Sequence, residues 1–128
     1  MSNIAPLKKY FKFTHPGYGR PISFPIHIMV TSEGIYVSIL DVSLALNIPN
    51  PNKLVHELCP GDTWRCTDRD VLGQLFHEGD GRLKGLTVVP LSCAYAIMNQ
   101  APGLDRDRVR GFRAWISQTV QHIQQGKL

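Results

Sequence analysis

The sequence predicts an α+β fold, in which a small mixed or antiparallel sheet carries short helices and a packed C-terminal amphipathic helix. Three observations lead there. Ile26, Ile28 and Val30 alternate with His27 and Met29, and Ile35, Val37 and Ile39 repeat the pattern beyond Thr31-Ser32-Glu33-Gly34, as a β-hairpin requires. Ser38, and then Asn50-Pro51, stand where two short helices would open. Val109, Phe112, Ile116, Val120 and Ile123 recur at three- and four-residue spacing, which draws one apolar stripe along a helix.

The chain has 128 residues, 43% hydrophobic and 19% charged, which suits one domain with one core and excludes a disordered or coiled-coil chain. No apolar run approaches the roughly 20 residues that cross a bilayer, and Ile35 to Leu46 is interrupted by Ser38, Asp41 and Ser43. A soluble protein with no membrane partner is expected. Residues 1–13 carry Lys8, Lys9 and Lys12 and show no apolar signal core, so nothing directs export. Cys59, Cys66 and Cys93 are odd in number and sparsely spaced, which predicts reduced thiols, no disulfide and an intracellular setting.

Taken in order, residues 1–21 read as an N-terminal arm, because Pro16, Gly17, Gly19 and Pro21 interrupt any long element. The folded domain is placed at 22–124 and a short tail at 125–128. After the hairpin, Ser38 caps a helix through Leu46 that ends near Asn47. Asn50 and Pro51 open a second, with Leu54, Val55 and Leu58 as its apolar face and Pro60-Gly61 as its stop. Thr63 to Thr67 and Leu86 to Val89 are strands, separated by a Gly-rich, charged excursion with a helical piece near Val71 to Phe76. Leu91 to Met98 is a buried helix ended by Ala101-Pro102-Gly103. Asp105 or Asp107 then opens the striped helix.

The chemistry legible in the chain is that of binding. Neither Gly17-Tyr18-Gly19 nor Gly79-Asp80-Gly81 extends to a phosphate loop, and no nucleophile elbow or His-Glu-x-x-His pair occurs, so no catalytic residue and no cofactor is assigned. His56, Cys59, Cys66 and His77 are zinc-ligand types without a Cys-x-x-Cys knuckle, and no metal is assigned. Glu57 with His56, and Asp68 with Asp70, read as surface groups rather than acid/base pairs.

A formal charge of +4 favours an acidic partner, with DNA foremost. Arg106, Arg110 and Arg113 share a face of the last helix beside its stripe. If the two short helices act as a helix-turn-helix, the second offers Asn50, Asn52, Lys53 and His56 to a groove; otherwise these are its solvated face. Lys8, Lys9 and Lys12 interleave with Tyr10, Phe11 and Phe13, either to engage phosphates and bases or as an edge strand whose rings cover the core. Trp115, to one side of the stripe, is a candidate homodimer contact.

The order of short motifs carries a resemblance. Tyr36-Val37-Ser38-Ile39-Leu40-Asp41-Val42 follows the hairpin, then come Ala45-Leu46, the Asn50-Pro51 turn, Val88-Val89-Pro90-Leu91, Tyr95-Ala96-Ile97 and Phe112-Arg113-Ala114-Trp115. This series, from about Ile22 to Gln124, resembles the BRO N-terminal (Bro-N) domain of baculovirus BRO proteins and phage antirepressors. The chain departs from the family at Leu91-Ser92-Cys93-Ala94-Tyr95 and at Thr119-Val120. The resemblance implies a virus- or prophage-type DNA-binding module of transcription regulation, cytoplasmic in a bacterial host or otherwise intracellular. Its alternative is an antirepressor that binds a repressor protein without binding DNA.

Overall fold

Alternation of apolar and polar residues builds the first half of the molecule into a long hairpin. A computed structural model describes residues 4–126 other than 16, 18 and 102. Pro16, Tyr18 and Pro102, and the end of the 125–128 tail, lie outside the described residues. Strand β1 (Ala5–Thr14) pairs antiparallel with β2 (Pro21–Thr31), from Ala5 opposite Val30 to Thr14 opposite Pro21. β2 turns through Ser32 and Glu33 into β3 (Gly34–Ser38), with Thr31 opposite Gly34. The Thr31 hydroxyl accepts from the Glu33 N–H at 3.1 Å and donates to the Gly34 carbonyl at 2.9 Å. Gly34 has φ 138°, which only a residue without Cβ adopts without strain.

The second hairpin is the one the sequence predicts, whereas the N-terminal arm is not an arm. Residues 5–14 are a strand of the sheet, so a boundary after residue 21 cuts through the β1–β2 hairpin. The physical reason lies in the alternation among the lysines: Leu7, Phe11 and Phe13 pack on the core while Lys8, Tyr10 and Lys12 are exposed. The strands admit Pro6, Pro21 and Pro25 within this pairing, whereas Gly17 and Gly19 lie between them. β1 is an edge strand, and its lysines oppose pairing with another chain there.

Strands β4 (Trp64–Cys66) and β5 (Leu86–Pro90) complete a five-stranded antiparallel sheet in the order β1-β2-β3-β5-β4. Around it stand helices α1 (Ile39–Leu46), α2 (Pro51–Leu58), α3 (Arg69–Gly73), α4 (Leu91–Gln100) and α5 (Arg106–Gln124). Ser38 caps α1 by accepting from the Asp41 N–H at 3.3 Å, and Asn47 ends it in the left-handed conformation. Asn50 precedes Pro51 at the start of α2 without a side-chain cap bond. Asp105, rather than Asp107, caps α5 through the N–H groups of Asp107 and Arg108.

Both faces of the sheet are covered. Phe11, Ile26, Ile28, Val37 and Val89 meet Val42 and Leu46 of α1, Val55 of α2, Ile97 and Met98 of α4, and Val109, Phe112 and Ile116 of α5. Their neighbours Met29 and Val88 point the other way, to Val71, Leu72 and Phe76. The excursion from Asp68 to Gly85 is therefore a lid on the second face, held by α3 and a 3-10 turn at Gly81–Lys84. Burying a Phe or Leu side chain contributes about 1.5–3 kcal/mol, so each face adds substantially to stability.

The thiol expectation fails. Cys59, at the end of α2, is disulfide-bonded to Cys93 in the first turn of α4, with Cα atoms 5.9 Å apart. Sequence spacing misses the pair because the two cysteines, at a sequence separation of 34 that takes in β4, α3 and β5, meet only where two helices pack side by side. The bond removes the reduced-thiol argument for a cytosolic setting. Cys66 is a free, buried thiol.

Candidate functional site

The predicted basic residues fall into three groups that the fold does not gather into one patch. α5 buries Val109, Phe112 and Ile116, with Phe112 meeting Phe11 edge-on at 5.1 Å, and Val120 and Ile123 pack at the margin. This leaves Arg106, Arg110 and Arg113 exposed. Arg113 donates to the Asn99 side chain at the end of α4, and Arg110 reaches Asp107 at 3.3 Å in an exposed pair worth little energetically. Arg108 points elsewhere. Its guanidinium lies 5.4 Å from the Phe13 ring and 5.1 Å from the Phe24 ring, tying α5 to the long hairpin.

The strand lysines are separate from these arginines. Phe11 faces α5, so Lys8 and Lys12, at even spacing from Tyr10, project from the opposite side of β1, while half-buried Lys9 alternates onto the α5 side. Of the three rings proposed for stacking on bases, Phe11 is buried, Phe13 is half-buried, and Tyr10 alone is exposed, beneath the Lys8 ammonium at 5.4 Å. Phe11 and Phe13 are thus the core cover of an edge strand.

The α2 residues diverge. Lys53 lines a cavity of about 210 Å³ with Leu54, Glu57, Ala101 and Leu104, which places it beside the segment leading into Arg106. Asn52 lines a different cleft, of about 220 Å³, with Leu40, Arg65, Arg82 and Thr87. His56 and Asn50 are exposed. Of the zinc-ligand types, Cys59 is consumed by its disulfide, and among the described residues no three metal-capable side chains converge. Asp68 is the cap of α3.

A polar cluster that the sequence did not single out lies under the second face. His27 and Asp41 are 2% and 3% exposed, and His27 Nδ1 stands 2.7 Å from Asp41 Oδ2. Such burial closes the pair to any substrate, so its role is architectural. The Phe76 ring lies 4.6 Å from the His27 ring and 4.3 Å from the Arg82 guanidinium. Arg82 in turn grips Asp80 with two bonds, Nε to Oδ1 at 3.2 Å and NH2 to Oδ2 at 3.0 Å. That hydrogen-bonded grip holds the Asp80 carboxyl below its ordinary pKa and raises that of Arg82. The available signal was a His between Ile26 and Ile28 and an Asp between Leu40 and Val42, polar groups in apolar runs that burial obliges to find partners.

Compared with known proteins, the chain matches no family model, no curated protein and no solved structure. Among the described residues no helix is long and apolar enough to cross a membrane.

Proposed function

We propose that this domain is a DNA-binding, transcription-regulatory module of the virus or prophage type, with α5 as its contact to phosphate. The observation that carries the reading is the exposure of Arg106, Arg110 and Arg113 along one helix whose adjacent side is anchored in the core. A rigid scaffold presents three guanidinium groups, and guanidinium suits phosphate by charge and by its planar fork of donors. The net charge of +4 and the ordered resemblance to Bro-N domains support the same reading. Lys53, which shares a cavity with Glu57 and Leu104, adds a separate positive charge.

A second reading, capture of a repressor protein without DNA, is favoured by α1. Leu40 and Leu44 are 46% and 61% exposed one helical turn apart, an apolar pair of the kind that protein partners cover. Titration with mixed-sequence duplex DNA at two salt concentrations separates the readings. Phosphate contacts release counterions, so DNA binding weakens steeply with salt. A protein-only module shows no saturable DNA binding at low salt and forms a stable complex with its repressor.

A further inference from the structure

We infer that the cleft bounded by Asn52, Arg65, Arg82 and Thr87 is a phosphate-binding site, built from elements other than the α5 arginine face and independent of the DNA reading. The cleft lies where the start of α2, the middle of β4, the beginning of β5 and the 3-10 turn converge. It therefore collects two arginines that are 17 positions apart in the chain (82 minus 65).

Both guanidinium groups are held in place before any ligand arrives. Arg82 is clamped from one side by two bonds to Asp80 and lies over the Phe76 ring. Asp80 engages two of its five N–H groups, which leaves three. Arg65 donates to the neutral Thr87 hydroxyl at 3.2 Å and to no carboxylate among the described residues. It lies against Gly85, where a Cβ would meet its guanidinium at 2.6 Å, so glycine at this position leaves the side chain its place. Asp80 does not line the cleft, and against the two arginines it leaves one positive charge uncompensated.

The remaining lining fits the rest of an ester. Asn52 and Thr87 add neutral polar groups that bond phosphate oxygens, while Ile39, Leu40, Pro51 and Leu86 give an apolar wall to the carbon portion of the ligand. Planar donors, a net positive charge and an apolar flank together select a tetrahedral oxyanion carried on an organic group. Such a phosphate can come from a free mononucleotide or from the backbone of a nucleic acid.

Backbone amide chemical shifts, followed during titration with inorganic phosphate, then with a 5′-mononucleotide and then with a short DNA duplex, test the site. Sodium chloride at matched ionic strength serves as the control. Saturable shifts centred on Asn52, Arg65, Arg82 and Thr87, absent with chloride, are the expected result. Arg65→Gln, at an exposed position, should weaken phosphate binding about 10- to 100-fold, the range of a lost charge-assisted contact. Arg20→Gln, at an exposed position outside both the cleft and α5, should leave phosphate binding unchanged. Mononucleotide bound as tightly as duplex identifies a small-molecule site, whereas tighter duplex binding, again weakened by Arg65→Gln, identifies a backbone contact. No saturable shift at tens of millimolar phosphate overturns the inference, as does binding that survives Arg65→Gln in a folded protein. Loss of DNA binding in an Arg110→Ala/Arg113→Ala variant, with the phosphate-induced shifts at this cleft intact, leaves this site standing, so the two readings fail separately.

Discussion

His27 and Asp41 join β2 to α1 through a single carboxylate oxygen, which lies 2.7 Å from His27 Nδ1 and accepts the His27 backbone N–H at 2.9 Å. Two buried polar residues are thereby satisfied together. Asp41→Ala strands the imidazole and the N–H, and should destabilise the fold by about 3 kcal/mol, the scale of a broken buried pair. Asp41→Asn keeps an acceptor and should cost less. Denaturant midpoints of the two variants check this ordering, and a wild-type midpoint for Asp41→Ala would contradict it.

The Cys59–Cys93 bond closes a loop across a sequence separation of 34, and chain entropy alone makes such a link worth about 3–4 kcal/mol. Adding reductant should lower the free energy of unfolding by that amount, seen as a lower denaturation midpoint. Cys66 is buried away from the pair and should not exchange into it. Thiol counting under denaturing conditions should find one free thiol before reduction and three after. A count of three in the purified protein without reductant would refute the bond.

Acid should loosen the lid on the second face. The pKa of the Asp80 carboxyl is lowered from its ordinary value of 3.8 by its hydrogen bonds to Arg82, so the unfolded chain takes up its proton at higher pH than the folded one. The stabilisation is present in full above that value and is lost as pH falls through the lower folded pKa. Asp80→Asn should flatten the stability profile below about pH 4 and leave its slope near neutrality unchanged. A profile identical to wild type in the acid limb would show the pair to be inert.

Gly111 sits within α5, where a helical glycine costs about 1 kcal/mol relative to alanine. A Cβ there would find Phe11 Cζ and Phe13 Cδ1 at 3.9 Å, ordinary contact with no clash. Gly111→Ala should therefore raise stability by about 1 kcal/mol, seen as a higher thermal midpoint. A lower midpoint would mean that the hairpin rings need the closer approach.

Period-two and helical spacing made β2, β3 and α5 legible in the sequence, and cap chemistry at Ser38, Asn47, Asn50-Pro51 and Asp105 located helix ends. β1 was half legible. Its rings and lysines alternate, as an edge strand requires, but the Pro and Gly after Thr14 set the segment apart as an N-terminal arm. What escaped was non-local: Cys59 with Cys93, His27 with Asp41, and Arg65 with Arg82 meet only when the sheet order is known. The exposed arginines of α5 were visible because helical spacing alone places them on one face. Their separation from Lys8, Lys12 and Asn52 was not, since it depends on which side of the sheet each strand and helix presents.

The central claim is that α5 meets DNA phosphates through Arg110 and Arg113. Its most direct measurement is the slope of log binding constant against log salt for mixed-sequence duplex DNA, with wild type beside an Arg110→Ala/Arg113→Ala double variant of verified fold. Each phosphate contact contributes roughly one unit to that slope, so the variant's slope should be shallower by about two and its affinity lower for every sequence tested. Undiminished affinity with an unaltered slope, or no saturable DNA binding by wild type at low salt, would contradict the account.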